Sequence, residues 1–220
     1  MKLLFLLIIP VFCFSQNSNY SKLKKLPKIQ YEKAVTDSIV KLESTDLWLF
    51  LKTLKNDYKT DLSPFNTDLI NRFDKCKWLM EIHSLLSMLV DLKIPAPLIE
   101  NSLNDKKELW DNGQWSEEFW KIIRKNHLNV KEDIYYIVDA EGQKTYNIRL
   151  LLEDKVVSNE MGANPIFNLN DTLTDYPQNK LFETLEKLNI KDITIISIDK
   201  SIELYGNNGS DGMIKVLTRQ

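Results

Sequence analysis

The spacing of apolar residues changes once along this chain, near residue 130, and that change limits the folds it can adopt. Over residues 30–129 the apolar side chains recur at intervals of three and four, which predicts α-helices. One long helix is expected from Thr67 to about Lys93, where Pro95 and Pro97 end it. Beyond this region apolar and polar residues alternate, as is typical of strands. The sequence therefore predicts an α+β fold, with a helical domain at 30–129 and a small α+β domain at 130–220.

Local signals predict the order of elements within both domains. Ser44, Thr45 and Asp46 offer side-chain oxygens that could cap a helix beginning at Leu47. In the second domain the predicted elements are a strand at 134–138, a turn at 140–143, a hairpin partner at 145–152, an extended piece at 165–167, a helix whose first turn holds Pro177, a strand at 192–198, a helical turn at 201–205 and a closing strand at 213–218.

The first 16 residues resemble a secretory signal peptide. Lys2 precedes an unbroken apolar run from Leu3 to Phe14, and small polar residues follow it. This run is shorter than the roughly 20 residues that a membrane-spanning helix needs, and it contains Pro10. The alternatives are a buried N-terminal element and a lipid anchor on Cys13, which the bulky residue Phe12 before it disfavours. We therefore expect a signal peptide at 1–16, a flexible lead at 17–29, and a mature chain without a transmembrane segment.

Charge and cysteine content exclude several classes of protein. The formal net charge is −2, so no basic excess is available to bind nucleic acid. If Cys13 leaves with the signal, Cys76 is the one remaining thiol, and no internal disulfide can form. Because Cys76 lies in a strongly helical segment, a buried and unreactive thiol is expected.

Glycine is rare in this chain, and half of the glycines lie in one short segment. The sequence has six glycines, and Gly206, Gly209 and Gly212 are spaced by three just before the closing strand. Glycine reaches positive φ without a side-chain clash, so the spacing predicts a tightly folded loop. A phosphate-binding loop instead lies between a strand and a helix N-terminus, and here the order is helix, loop, strand.

The segment from Ile193 to Thr218 resembles the plug domain of TonB-dependent outer-membrane receptors, in the form common among Bacteroidetes-type bacteria. The pattern Tyr-Gly-x-x-Gly-x-x-Gly followed by a hydrophobic residue and Ile matches that family in order and spacing. The resemblance spans residues 145–218 and extends to the segment 150–158, which is similar to a strand that ends in Ile-Asp-Gly-Lys in the family. It implies a small β-α-β module.

This sequence departs from the family at several points. Asp154-Lys155 stands where the family usually has Asp-Gly, and Asn208 replaces a residue that is commonly basic. The chain ends at Gln220 without the barrel that follows a receptor plug, so transport by this chain alone is not expected.

These features favour an exported, non-catalytic protein whose plug-like module binds another envelope component. It would be periplasmic or outer-membrane-associated in a Gram-negative bacterium, or secreted. Loops on a rigid scaffold often carry recognition, so the candidate binding residues are those of the glycine loop, although the loop could equally serve only to close the fold. These candidates are Asn207, Asn208, Ser210 and Asp211, with Gly206, Gly209 and Gly212 as structural residues.

The alternative is an envelope hydrolase with its site between the two predicted domains. The acid–base residues that could serve it are His83 and His127, and neither has a partner at the spacing of metal ligands. His83 falls within a predicted helix and His127 near the end of another, where structural roles are expected. The sequence therefore predicts no catalytic residue, cofactor or metal site. The three tryptophans Trp110, Trp115 and Trp120 are expected in the core or at its rim.

Overall fold

The computed structural model describes residues 20–219, and the predicted signal peptide at 1–16 lies outside the described residues. The α+β class is confirmed: helices make up the first part of the described chain, and small sheets appear only toward its C-terminus. The helices are α1 Tyr20–Leu23, α2 Lys28–Lys41, α3 Ser44–Lys52, α4 Asn66–Lys75, α5 Leu79–Asp91, α6 Ala96–Asp105, α7 Lys107–Trp110, α8 Ser116–Lys125, α9 Ile148–Val157, α10 Leu181–Leu185 and α11 Ile198–Tyr205. The strands are β1 Tyr136–Val138, β2 Lys144–Tyr146, β3 Ile166–Leu169, β4 Thr172–Leu173, β5 Ile190–Ile196 and β6 Met213–Thr218.

The chain divides into two compact units, one ending at Glu81 and the other beginning at Ile82. A domain boundary near residue 130 stays a prediction. Within the described residues, no helix is both long enough and apolar enough to cross a membrane.

The first unit contains a helical core in which the predicted long helix is interrupted. The structure has α4 and α5 instead, because Cys76 adopts an extended conformation with ψ 147°. The side chain of Cys76 is buried, as expected. Trp78, an apolar residue within the predicted helix, is 58% exposed.

The break brings together two charged side chains that a continuous helix would hold apart. Nine residues along a helix amount to two and a half turns, so Arg72 and Glu81 would lie roughly 13 Å apart on opposite faces. In the structure Arg72 Nε lies 2.5 Å from Glu81 Oε1, and the Glu81 side chain is fully buried. The second carboxylate oxygen of Glu81 accepts a hydrogen bond from the backbone N–H of Ser44 at 3.0 Å. The predicted capping of α3 by its own first residues is therefore wrong, and a distant glutamate satisfies that N–H instead.

The second unit begins with helices and continues through a two-stranded hairpin. Strands β1 and β2 pair antiparallel, with Tyr136 opposite Tyr146. The intervening turn is confirmed, and in it the Asp139 carboxylate accepts hydrogen bonds from the backbone N–H groups of Glu141 and Gln143. The hairpin partner, predicted to run to residue 152, ends at Tyr146.

The segment after the hairpin corrects a second prediction. Residues 150–158, expected as a strand from the plug resemblance, lie almost wholly in α9. Asn147 precedes this helix, and its side-chain oxygen accepts a hydrogen bond from Leu150 N at 3.1 Å. An asparagine cap of this kind stabilises the start of a helix. The helix predicted at Pro177 also differs, because α10 begins only at Leu181.

The four-stranded sheet has the order β4-β3-β6-β5 and carries the C-terminal part of the chain. β3 lies parallel to β6, whereas β5 and β6 are antiparallel and are connected through α11. The closing strand predicted at 213–218 is thus confirmed, and the strand predicted at 192–198 lies at 190–196. The core against this sheet consists of apolar side chains from the sheet, from α10 and from the segment before β3; its members are Met161, Phe167, Leu181, Leu185, Ile190, Ile214 and Val216.

Candidate functional site

The glycine loop forms a short, tightly packed connection between α11 and β6. Residues Gly206–Gly209 make one turn of 3-10 helix directly after α11. Gly206 and Gly212 have φ values of +60° and +77°, which favour glycine. Gly209 instead packs closely against α11, because a Cβ atom there would lie 2.3 Å from the carbonyl oxygen of Ser201. Gly206 and Gly212 are therefore required by the backbone conformation, and Gly209 by close packing.

The four predicted binding residues of this loop separate into two groups. Asn207, Asn208 and Ser210 are exposed. Asp211 is half-buried, and its carboxylate accepts a hydrogen bond from the backbone N–H of Asn164 at 2.8 Å. Its backbone carbonyl accepts a second bond from the N–H of Gly162 at 2.9 Å. Asp211 thus anchors the loop to the segment before β3, and the other three side chains remain available to a partner.

A groove of about 480 Å³ opens beside the loop. Asn208 and Tyr205 form one side of it, and Tyr176 lies in its lining. The Tyr176 hydroxyl donates a hydrogen bond to the carbonyl of Pro165 at 2.9 Å, which fixes the ring. Burial raises the pKa of this tyrosine, so its hydroxyl stays protonated at neutral pH. The groove combines aromatic surface with amide and hydroxyl groups, and it suits binding of a polar ligand or a protein surface.

The most deeply buried charges of the second unit form a separate cluster around Lys144. The Nζ of Lys144 lies 3.0 Å from Asp111 Oδ1 and 2.9 Å from Asp192 Oδ1. The three side chains are 2%, 5% and 2% exposed, respectively. Lys144 belongs to β2, Asp111 directly follows α7, and Asp192 belongs to β5. One ammonium group therefore ties together three elements that are far apart in sequence.

Neutral donors complete the coordination of both carboxylates. Asp111 accepts hydrogen bonds from the Tyr136 hydroxyl, from Trp120 Nε1 at 2.6 Å and from Ser116 Oγ at 2.8 Å. Asp192 accepts them from the Tyr146 hydroxyl at 3.0 Å and from the backbone N–H of Gly113 at 2.7 Å.

The two tyrosines of this cluster remain protonated over the whole physiological range. Burial, and then the neighbouring carboxylate, raises the pKa of Tyr136 and of Tyr146. Since each carboxylate is held by several donors, the arrangement favours a role in holding the fold together. Sequence reasoning missed this cluster. The one available signal was the position of Lys144 on the same strand face as Tyr146, two residues further on.

The two histidines lie in different environments. The ring of His83 contacts Trp115 and Phe119, with centroid distances of 5.4 Å and 5.3 Å. His127 is exposed and has a positive φ of 53° just after α8. Their expected positions, within a helix and near a helix end, are confirmed. Of the tryptophans, Trp110 and Trp120 are fully buried and Trp115 is half-buried, so the predicted core and rim positions are confirmed as well.

No family model, curated protein or solved structure matches this chain. Among residues 20–219, no group of three or more histidine, cysteine, aspartate or glutamate side chains is placed to hold a metal ion.

The packing of His83 leads to a prediction about acid stability. Burial lowers the pKa of His83, and a weaker interaction with Glu118 opposes this shift. The unfolded chain therefore binds a proton more readily than the folded chain, and stability should fall as the pH drops below about 6.5, the ordinary histidine value. Replacing His83 by phenylalanine should reduce that loss. Urea unfolding at pH 7 and at pH 5 would measure it.

A matched control uses the other histidine. His127→Asn keeps His83, and asparagine tolerates the positive φ at this position. This variant should retain the acid-induced loss of the parent protein. Equal losses for His83→Phe and the parent would contradict the prediction.

Proposed function

We propose that this protein is exported and that its glycine loop binds another component of the cell envelope without performing chemistry of its own. The observation that carries the proposal is that the loop has two kinds of residue, those that fix its backbone and those that are exposed. Asp211 and the buried glycines fix its backbone, and Asn207, Asn208 and Ser210 are exposed beside a groove. A rigid support under exposed polar side chains reduces the entropy that is lost on binding.

Two further features support this proposal. The apolar run at residues 3–14 has the length and flanking residues of an export signal. The order of helix, glycine loop and closing strand over residues 193–218 supports the resemblance to a receptor plug, whereas the helix at residues 150–158 does not. The buried carboxylates favour a structural role rather than catalysis, because the donors around Asp111 and Asp192 already occupy their oxygens.

Photo-crosslinking in living cells tests the proposal. A photoreactive amino acid placed at Asn208 should crosslink a specific envelope protein, whereas the same group at the exposed Lys187 should not. The triple variant Asn207→Ala, Asn208→Ala, Ser210→Ala should recover at least tenfold less of that protein in a pull-down. Glu186→Ala with Lys187→Ala is the matched surface control. Equal recovery by the loop variant and the control, at equal folded stability, would exclude the loop as the binding site.

A further inference from the structure

A second groove, of about 600 Å³, runs along the outer edge of the four-stranded sheet. β5 is the last strand in the sheet order, and among the described strands of this sheet it pairs only with β6. Ile193, Thr194 and Ile195 of β5 line the groove together with Tyr135 and Lys155. The groove shares no lining residue with the one beside the glycine loop.

The hydrogen bonds show which backbone groups of β5 face this groove. The N–H of Ile193 donates to the Tyr146 hydroxyl at 3.2 Å and therefore points away from β6. On the neighbouring strand β6, Val216 lies opposite Ile193. The carbonyl of Val216 accepts a hydrogen bond from the N–H of Asn170, so it points toward β3 and away from β5. Backbone direction alternates along a strand, so the N–H and C=O of Ile195 also point outward.

Protein groups close this edge at both ends and leave its middle open. Tyr146 covers the N–H of Ile193 at one end, and at the other the N–H of Ile198 donates to the carbonyl of Glu160 at 3.1 Å. The open stretch thus centres on Ile195. β5 ends at Ile196, so the open stretch runs from the carbonyl of Ile193 to that residue. Three steps along a strand span roughly 10 Å, which matches the paired part of a peptide of about three residues.

The open stretch of β5 lacks the residues that usually prevent an edge strand from pairing with another chain. Ile193, Thr194, Ile195 and Ile196 are uncharged and β-branched, and each is half-buried. Natural edge strands usually carry lysine, proline or a bulge that prevents pairing with another chain. The one bulge in β5 lies at 190–192, outside the open stretch.

The charges around the groove favour a basic ligand. Lys155 is paired with Glu160 at 2.9 Å, and Lys107 lies 3.6 Å from Asp111. Glu108 and Asp133 are exposed at the rim, and neither takes part in an ion pair among the described residues. The acidic rim would therefore attract a lysine or arginine side chain.

We propose that this groove binds an extended, basic peptide segment of a partner protein, which adds to the sheet as a strand beside β5. The main chain of the peptide would pair with the N–H and C=O of Ile195 and the C=O of Ile193. Its basic side chain would lie near Asp133. This site is separate from the proposed loop site, and neither depends on the other.

Selection from a displayed library of random hexapeptides tests the proposal, with the full chain immobilised. Enriched peptides should carry β-branched residues in alternation and at least one lysine or arginine. In amide exchange measured by NMR, a bound peptide should protect the amide of Ile195. N-methylation of every second peptide residue should weaken binding at least tenfold when the methylated residues are those that pair with β5. Methylation of the residues between them should have a smaller effect. Asp133→Asn should weaken binding by about threefold, the size expected of an exposed ion pair.

Several outcomes would overturn the proposal. One is a library with no enrichment over an Ile195→Pro control, in which the outward N–H is absent, as edge strands permit. Another is a set of enriched peptides that neither respond to N-methylation nor protect Ile195. Because N-methylation leaves the protein unchanged, it decides the matter even if Ile195→Pro does not fold. Concentration-dependent protection of Ile195 without peptide would indicate pairing between two copies of the chain instead.

Discussion

Replacing Lys144 by methionine should lower the free energy of unfolding by about 3–5 kcal/mol, as is typical when one partner of a buried ion pair is removed. Methionine keeps most of the length and volume of the lysine side chain, so the substitution leaves little cavity. It leaves the carboxylates of Asp111 and Asp192 buried, at 5% and 2% exposure, without their shared cation. Urea unfolding at neutral pH, followed by tryptophan fluorescence, would measure the loss.

Two further variants distinguish loss of the buried charge from loss of an ordinary ion pair. Lys180→Met removes a lysine that pairs with Glu183 at 2.8 Å on the exposed surface, and it should leave the unfolding midpoint nearly unchanged. Combining Lys144→Met with Asp192→Asn should cost less than the sum of the two single changes, since the neutral amide no longer needs a cation. If Lys144→Met were no more destabilising than Lys180→Met, the cluster could not be what holds α7, β2 and β5 together.

The order of elements at the C-terminus could be predicted because each depends on local chemistry. The helical turn before Gly206, the bend itself and the alternating strand after Gly212 are all encoded within about twenty neighbouring residues. Their pairing with β5 follows from the short connection between them. The same local reasoning placed His83, Trp110 and Trp120 correctly.

The wrong prediction of one long helix and the missed cluster around Lys144 both involve contacts that no local signal reveals. The single helix at 67–93 followed the apolar period, but no local signal shows that Glu81 reaches back to Arg72 and to the N–H of Ser44. The cluster around Lys144 is of the same kind, since its carboxylates come from positions 33 residues before it and 48 residues after it. The error at 150–158 was different. The alternating apolar residues at 146–152 are compatible with either state, and the asparagine cap at Asn147 favours α9.

Replacing Gly209 by alanine should lower the free energy of unfolding by about 3 kcal/mol, at the upper end of the usual cost of overpacking. The new Cβ atom would lie 2.3 Å from the carbonyl oxygen of Ser201 and 2.8 Å from the N atom of Ile202. Both are backbone atoms of α11, so no side-chain rotation can relieve the contact. Gly209 is not among the positive-φ glycines, so the cost is steric rather than conformational.

The neighbouring positions supply the controls for this substitution. Ser210→Ala changes an exposed side chain in the same loop and should leave the urea midpoint almost unchanged. Adding Ser201→Ala to Gly209→Ala should not restore stability, because the clash involves the backbone of Ser201 and not its hydroxyl. If Gly209→Ala unfolded at the same urea concentration as Ser210→Ala, the loop would not be packed against α11 as described. The rigid support for Asn207 and Asn208, on which the proposed binding role depends, would then be lost.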